Sequence, residues 1–262
     1  MSNSLYRVQH STMTNLCDAV RSLTSSSSSF TPSELLSQIN GFEFSILDPY
    51  KYANSTITEF TDSEHYVIGE WAFASCSNLT SVSFTRATYV ANQVFSSCYS
   101  LTDVYLPNCQ VLGEGAFAYC TSLSSISLPR CSYITGKVFA TCTHLASVSF
   151  PACEYIGDRA FMSCVALTNA HFPKCNYIES SGFWYCGALT VISIPVCDYF
   201  SHAFTQCSSL REIYLDRVSR VTTMLGKYIP TGVTSVYVPS SLYSDFLVAT
   251  NWSAYASKLV SV

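Results

Sequence analysis

Thirteen cysteines stand in this 262-residue chain, and all but one fall into two regular series. Cys76, Cys98, Cys120, Cys142, Cys164, Cys186 and Cys207 form the first; Cys109, Cys131, Cys153, Cys175 and Cys197 form the second. A thiol can ligate metal, form a disulfide, act as a nucleophile or pack as a small apolar group. Zinc needs converging ligands, usually as C-x₂₋₄-C pairs. No C-x-x-C occurs, so neither metal nor cofactor is expected. Catalysis is equally poorly served. His144 lies beside Cys142 in a pairing that repeats nowhere, His65, His171 and His202 are isolated in sequence, and there is no G-x-S-x-G. Paired acids such as Asp103 and Glu114 fall on different parts of a turn. The chain reads as a non-enzyme.

What positions the thiols is a repeat. Phe73, Phe95, Phe117, Phe139, Phe161, Phe183 and Phe204 recur every 22 residues, with a last step of 21. Three residues after each comes a first-series cysteine, and three further on a leucine, from Leu79 to Leu210. An apolar–x–apolar segment follows, as in Val104/Leu106 and Ile126/Leu128, which is a strand signature. Proline then ends five of these strands, at 107, 129, 151, 173 and 195. Next come a second-series cysteine and an apolar position such as Ile134 or Ile156.

One such turn cannot bury its apolar side alone, but stacked turns bury it in one column. Seven turns at a strand spacing of about 4.8 Å make a column roughly 30–35 Å long. Eleven residues separate Cys153 from Cys164, half a period, which places the two series on opposite walls facing each other across the interior. Stacked thiols lie within reach of a bridge. Their side chains point in parallel, however, and each has two equivalent neighbours. Reduced, buried ladders are expected, with sporadic disulfides as the alternative. The tyrosines at 89, 133, 155, 177 and 199 are expected to stack between turns.

"IGDRAFMSCVALTNAHFP" (156–173) and "IGEWAFASCSNLTSVSF" (68–84) resemble the repeat unit of the BspA-like leucine-rich repeat family. The departures are a missing proline after Phe84 and Leu215, Ala170 at a Val or Ile position, and cysteine where relatives often carry Val or Leu. The resemblance implies an α/β leucine-rich-repeat solenoid, β-rich, with a parallel sheet on one face and short helical or 3₁₀ segments opposite. It also implies a surface-exposed or secreted, non-catalytic interaction protein.

Residues 1–42 read as an N-terminal helical segment: "STMTNLCDAVRSL" places Met13, Leu16, Val20 and Leu23 on one face, and Cys17 belongs with them. "TPSELLSQING" starts a second helix with Thr31 as N-cap and stops at Gly41. This pair resembles the N-terminal segments of prophage tail-associated repeat proteins. Residues 43–67 read as an irregular first turn, 68–226 as the solenoid, and 227–262 as a C-terminal cap.

Charged residues are 11%, against about 25% in an ordinary domain. Net charge is −4 with no basic cluster, so no nucleic-acid groove is expected. No apolar run approaches the ~20 residues of a membrane span, and the N-terminus has no continuous apolar signal region. An extracellular or cell-surface location is expected, with a phage particle or the cytoplasm as alternatives.

Function is expected on the outward strand positions. One row reads Ser83, Tyr105, Ser127, Ser149, His171, Ser193, Tyr214; the other reads Ser81, Asp103, Ser125, Ser147, Asn169, Val191, Glu212. Asp103, Tyr105, Asn169, His171, Glu212 and Tyr214 are the candidate contacts for a protein or glycan partner. Two alternatives stand beside this: the hydroxyls only solvate the sheet, or the chain is a structural or receptor-binding component of a prophage tail or fibre.

Overall fold

The computed structural model describes residues 46–226 and 229–262. The expected helices within 11–40, with Cys17, lie outside them. The described chain winds through about ten turns as a parallel β-solenoid, each turn contributing to two strand ladders.

The first ladder is built from very short strands: β1 (Ile46–Leu47), β3 (Val67–Ile68), β5 (Tyr89–Val90), β7 (Val111–Leu112), β9 (Tyr133–Ile134), β11 (Tyr155–Ile156), β13 (Tyr177–Ile178), β15 (Tyr199–Ser201) and β17 (Thr223–Leu225). They pair in that order as one parallel sheet. The other strands are longer: β2 (Glu59–Asp62), β4 (Ser81–Phe84), β6 (Asp103–Tyr105), β8 (Ser125–Ser127), β10 (Ser147–Ser149), β12 (Asn169–His171), β14 (Val191–Ser193), β16 (Glu212–Tyr214), β18 (Ser235–Val238) and β19 (Leu259–Ser261). These form three ladders in succession, β2–β4–β6, β8–β10 and β12–β14–β16–β18–β19. The long-strand wall therefore carries two seams, where the repeat implied a continuous sheet.

The expected helical segments opposite the sheet are absent from the repeats among the described residues. A wall of tight turns takes their place, with its own inter-turn bonds. Trp71 N donates to Asn92 O (3.1 Å), Phe73 N to Val94 O (3.0 Å) and Ser75 N to Ser96 O (2.8 Å), and the pattern recurs turn after turn. The residues two before and two after each repeat phenylalanine have positive φ, from Trp71 (60°) and Ser75 (60°) to His202 (47°) and Gln206 (65°). Left-handed backbone costs an L-residue roughly 1–2 kcal/mol. It persists here because bonds to both neighbouring turns hold it. A helix would direct those N–H groups along its own axis instead.

The core is the column the repeat implied. Phe73, Phe95, Phe117, Phe139, Phe161, Phe183 and Phe204 are buried and stack with centroids 5.1–5.9 Å apart. The glycine of the I-G dipeptide has a steric cause: a Cβ on Gly157 would lie 2.5 Å from the Thr135 carbonyl carbon of the preceding turn.

Both cysteine series are buried, and the twelve described thiols are free. The first series stands at the end of the turn wall, five residues before each long strand, and the second stands two residues before each short strand. First-series thiols donate to a carbonyl of the previous turn, Cys76 Sγ to Tyr52 O at 3.0 Å and the later ones to phenylalanines, as Cys98 Sγ does to Phe73 O at 3.1 Å. Second-series thiols serve a carbonyl two residues ahead, as Cys153 Sγ does to Tyr155 O at 3.4 Å. Desolvation holds Cys98 and Cys142 up at about 12 and raises Cys120 and Cys164 as well. Thiols so buried and so hard to ionise are poor nucleophiles. No group of three or more His, Cys, Asp or Glu that could hold a metal exists among the described residues.

The long-strand ladder continues through β19 at the C-terminal end, packed by helix α1 (Tyr243–Val248) and a 3₁₀ segment at Ser253–Lys258. No helix among the described residues is long and apolar enough to cross a membrane.

Candidate binding face

Alternation decides which side chains of the long strands face out. Register then aligns them: Ser83 pairs with Tyr105, and His171, Ser193, Tyr214 and Tyr237 follow one another on successive rungs. All six candidate contacts therefore share one face, as three i, i+2 pairs on β6, β12 and β16. They do not form one cluster, since β8 and β10 stand between the first pair and the second.

The first pair borders a seam. Asp103 and Tyr105 edge an open trough of about 590 Å³ whose bed carries Ser125, Ser127, Ser147 and Ser149. Val104 and Val148, inward residues by alternation, are only half-buried and line it too. Tyr105 is 57% exposed. Asp103 accepts from Thr102 Oγ1 at 2.8 Å. Threonine hydroxyls at this corner clamp paired rungs, with Thr80 Oγ1 donating to Thr58 O (2.9 Å) and Thr102 Oγ1 to Thr80 O (3.1 Å). Thr190 and Thr234 make the same bond. Among the described residues none of these clamps spans either seam.

The other two pairs are tied down. His171 Nδ1 lies 2.9 Å from Ser193 Oγ on the next rung. Asn169 Oδ1 accepts from Thr190 Oγ1 at 3.4 Å. Tyr214 donates its hydroxyl to Glu212 at 2.9 Å and stacks on Tyr237 with centroids 4.3 Å apart. Its hydroxyl is pushed up to about 12, first by that bond to Glu212, then by desolvation and by Tyr237. Tyr237 was missed by reading the regular repeats alone. The signal was present, because "VYVP" at 236–239 restates "VYLP" at 104–107.

The face offers an exposed ring, one exposed carboxylate and a bed of hydroxyls. These suit reversible polar recognition.

The family model for a BspA type leucine rich repeat region matches residues 45–153 and 132–244, in 6 copies. Among solved structures, a leucine-rich repeat protein from Bacteroides ovatus ATCC 8483 is 22% identical with a TM-score of 0.54, over 83% of this chain and 63% of that one. The chain thus spans a little under two thirds of that protein's length, and the likeness shows the fold. The T. pallidum leucine rich repeat protein is 18% identical (TM-score 0.42, 79% of each chain). The pneumococcal vaccine antigen PcpA is 14% identical (TM-score 0.44, 83% of this chain and 69% of that one). No curated protein matches.

Proposed function

Since the chain belongs to the BspA-type leucine-rich repeat family, we propose that it is a non-catalytic binding module, displayed at the cell surface or outside the cell, whose long-strand face takes a protein or glycan ligand. One observation carries this: Tyr105, 57% exposed, stands at the edge of a trough in the sheet rather than in the core or against another ring. An aromatic side chain in that position is the residue type that dominates interfaces. The solenoid holds it in place beforehand, so little ordering entropy is lost on binding. The tail-component alternative would depend on residues 11–40, outside the described chain.

The test is a glycan and protein array screen with the purified chain, followed by Tyr105→Ala, Asp103→Ala and His171→Ala. Tyr105→Ala should weaken the best partner at least tenfold, about 1.4 kcal/mol, with the thermal midpoint unchanged. Unchanged binding in the three variants together would remove this face from consideration.

A further inference from the structure

The short-strand wall carries a second aromatic array. Tyr133, Tyr155, Tyr177 and Tyr199 occupy one register position on β9, β11, β13 and β15. Their rings follow one another with centroids 5.7, 5.7 and 4.4 Å apart, and the last two pairs are within 12° of parallel. Below Tyr133 the next rung is closed by Val111, which is buried.

Above Tyr199 the ladder continues but the rings stop. The in-register residue on β17 is Thr223, short and exposed. Beside it is an open space of about 490 Å³, bounded among the described residues by Asn176, Tyr177, Asp198, Tyr199, Arg220 and Thr223. The rung is present and its ring is not.

We propose that this space is a binding site for a neutral pyranose sugar, which stacks at the open end of the tyrosine ladder where a fifth ring would stand. Stacked rings show their faces to one another, so only the terminal ring can offer a face to a ligand. The polar lining sets the chemistry. Arg220 Nη2 lies 2.7 Å from an Asp198 carboxylate oxygen, so the charges cancel and an anionic ligand gains little. What remains is a mixed set: guanidinium donors on a side chain 71% exposed, carboxylate acceptors, the Asn176 amide and the Thr223 hydroxyl. A pyranose matches that set, with an apolar C–H face for the ring and hydroxyls that both donate and accept. A purely apolar group would leave the polar lining unsatisfied. The site lies on a different wall from Tyr105, so it stands or falls independently of the long-strand face.

Saturation-transfer NMR on the full chain tests this, using the methyl glycosides of glucose, galactose and mannose, N-acetylglucosamine, and glucose 6-phosphate as the charged control. At least one neutral pyranose should bind, with saturation strongest on its ring C–H protons, and the phosphate should bind no better than its neutral parent. Thr223→Tyr supplies the missing ring and should weaken that sugar at least tenfold while leaving the thermal midpoint unchanged or higher. Arg220→Ala should also weaken it, and serves if tyrosine at 223 disturbs the turn. No binding by any neutral pyranose, or equal binding to wild type and both variants, overturns the assignment. So does a signal lost in Tyr105→Ala and retained in Thr223→Tyr, which would place the sugar on the long-strand face.

Discussion

Trp252 donates its indole N–H to the carbonyl oxygen of Thr222 at 2.7 Å, across 30 residues of chain. Its neighbour Asn251 donates from Nδ2 to Met224 O at 2.8 Å. These oxygens flank and belong to β17, the last rung of the short-strand ladder. Two side chains thus supply the donors that another rung's backbone would have supplied. The indole is buried and also closes the aromatic column, edge-on to Phe200 (6.1 Å) and Phe246 (5.1 Å).

Trp252→Phe separates the two roles of this residue. It keeps most of the apolar volume and removes the donor, which should cost about 1–3 kcal/mol for a buried carbonyl left short of a partner. Trp252→Ala should cost about 3–5 kcal/mol, because the column is opened as well. Urea unfolding midpoints measure both. An unchanged midpoint in Trp252→Phe would show that the hydrogen bond does not hold the cap.

Alkaline pH should unfold the protein. Below the usual thiol value of 9.0 the cysteines are protonated whether folded or not. Above it, thiols in the unfolded chain ionise, whereas desolvation keeps Cys98 and Cys142 neutral up to about 12 and raises Cys131, Cys175 and Cys197 in the same direction. The unfolded state then binds fewer protons, so stability falls as pH rises, by about 1.4 kcal/mol per pH unit for each fully shifted thiol. The urea midpoint should drop steeply from pH 9 to 11. A flat midpoint there would contradict buried neutral thiols.

Thiol reagents give a second view of the same ladders. In native conditions the twelve buried cysteines should react negligibly; denatured without reductant, all 13 in the sequence should react. Missing thiols in the denatured count would reveal disulfides. Cys142→Ala should cost only about 1–2 kcal/mol. Phe117 O loses the thiol at 3.1 Å but keeps Cys120 N at 3.2 Å. A loss above about 3 kcal/mol would mean the ladder contributes more than packing and a weak bond.

Thr141 bears the clearest local strain. It is β-branched, stands at φ 63°, and donates its N–H to Met162 O at 2.7 Å. Asparagine tolerates left-handed backbone far better. Thr141→Asn should therefore stabilise the fold by about 1 kcal/mol, read as a rise in urea midpoint. A fall would show that the side chain earns its place by contacts that outweigh the backbone cost.

Much of this architecture is legible in the repeat. The 22-residue spacing of phenylalanine already implies the stack seen from Phe73 to Phe204, and the recurrent tyrosines imply the ladder from Tyr133 to Tyr199. The turn wall is a different case. Nothing in the residue types at 71, 93, 137 or 159 signals positive φ, because Trp, Gln, Lys and Arg all avoid it in isolation. The short strands were equally hidden as a sheet, since two residues are too few to show an alternation.

By itself, the sequence determines the period, the inward column and the set of side chains that must face out. Burial is settled within each turn, by which positions are apolar, and repetition multiplies that choice. The tertiary structure alone decides what each outward residue can do. Tyr105 and Tyr214 hold equivalent positions, yet one stands at the edge of a seam and the other is bound to Glu212 and stacked on Tyr237. The seam beside Tyr105 and the ring stacked on Tyr214 are both set by neighbouring rungs, about one repeat away in sequence. No pattern internal to a single turn can specify them.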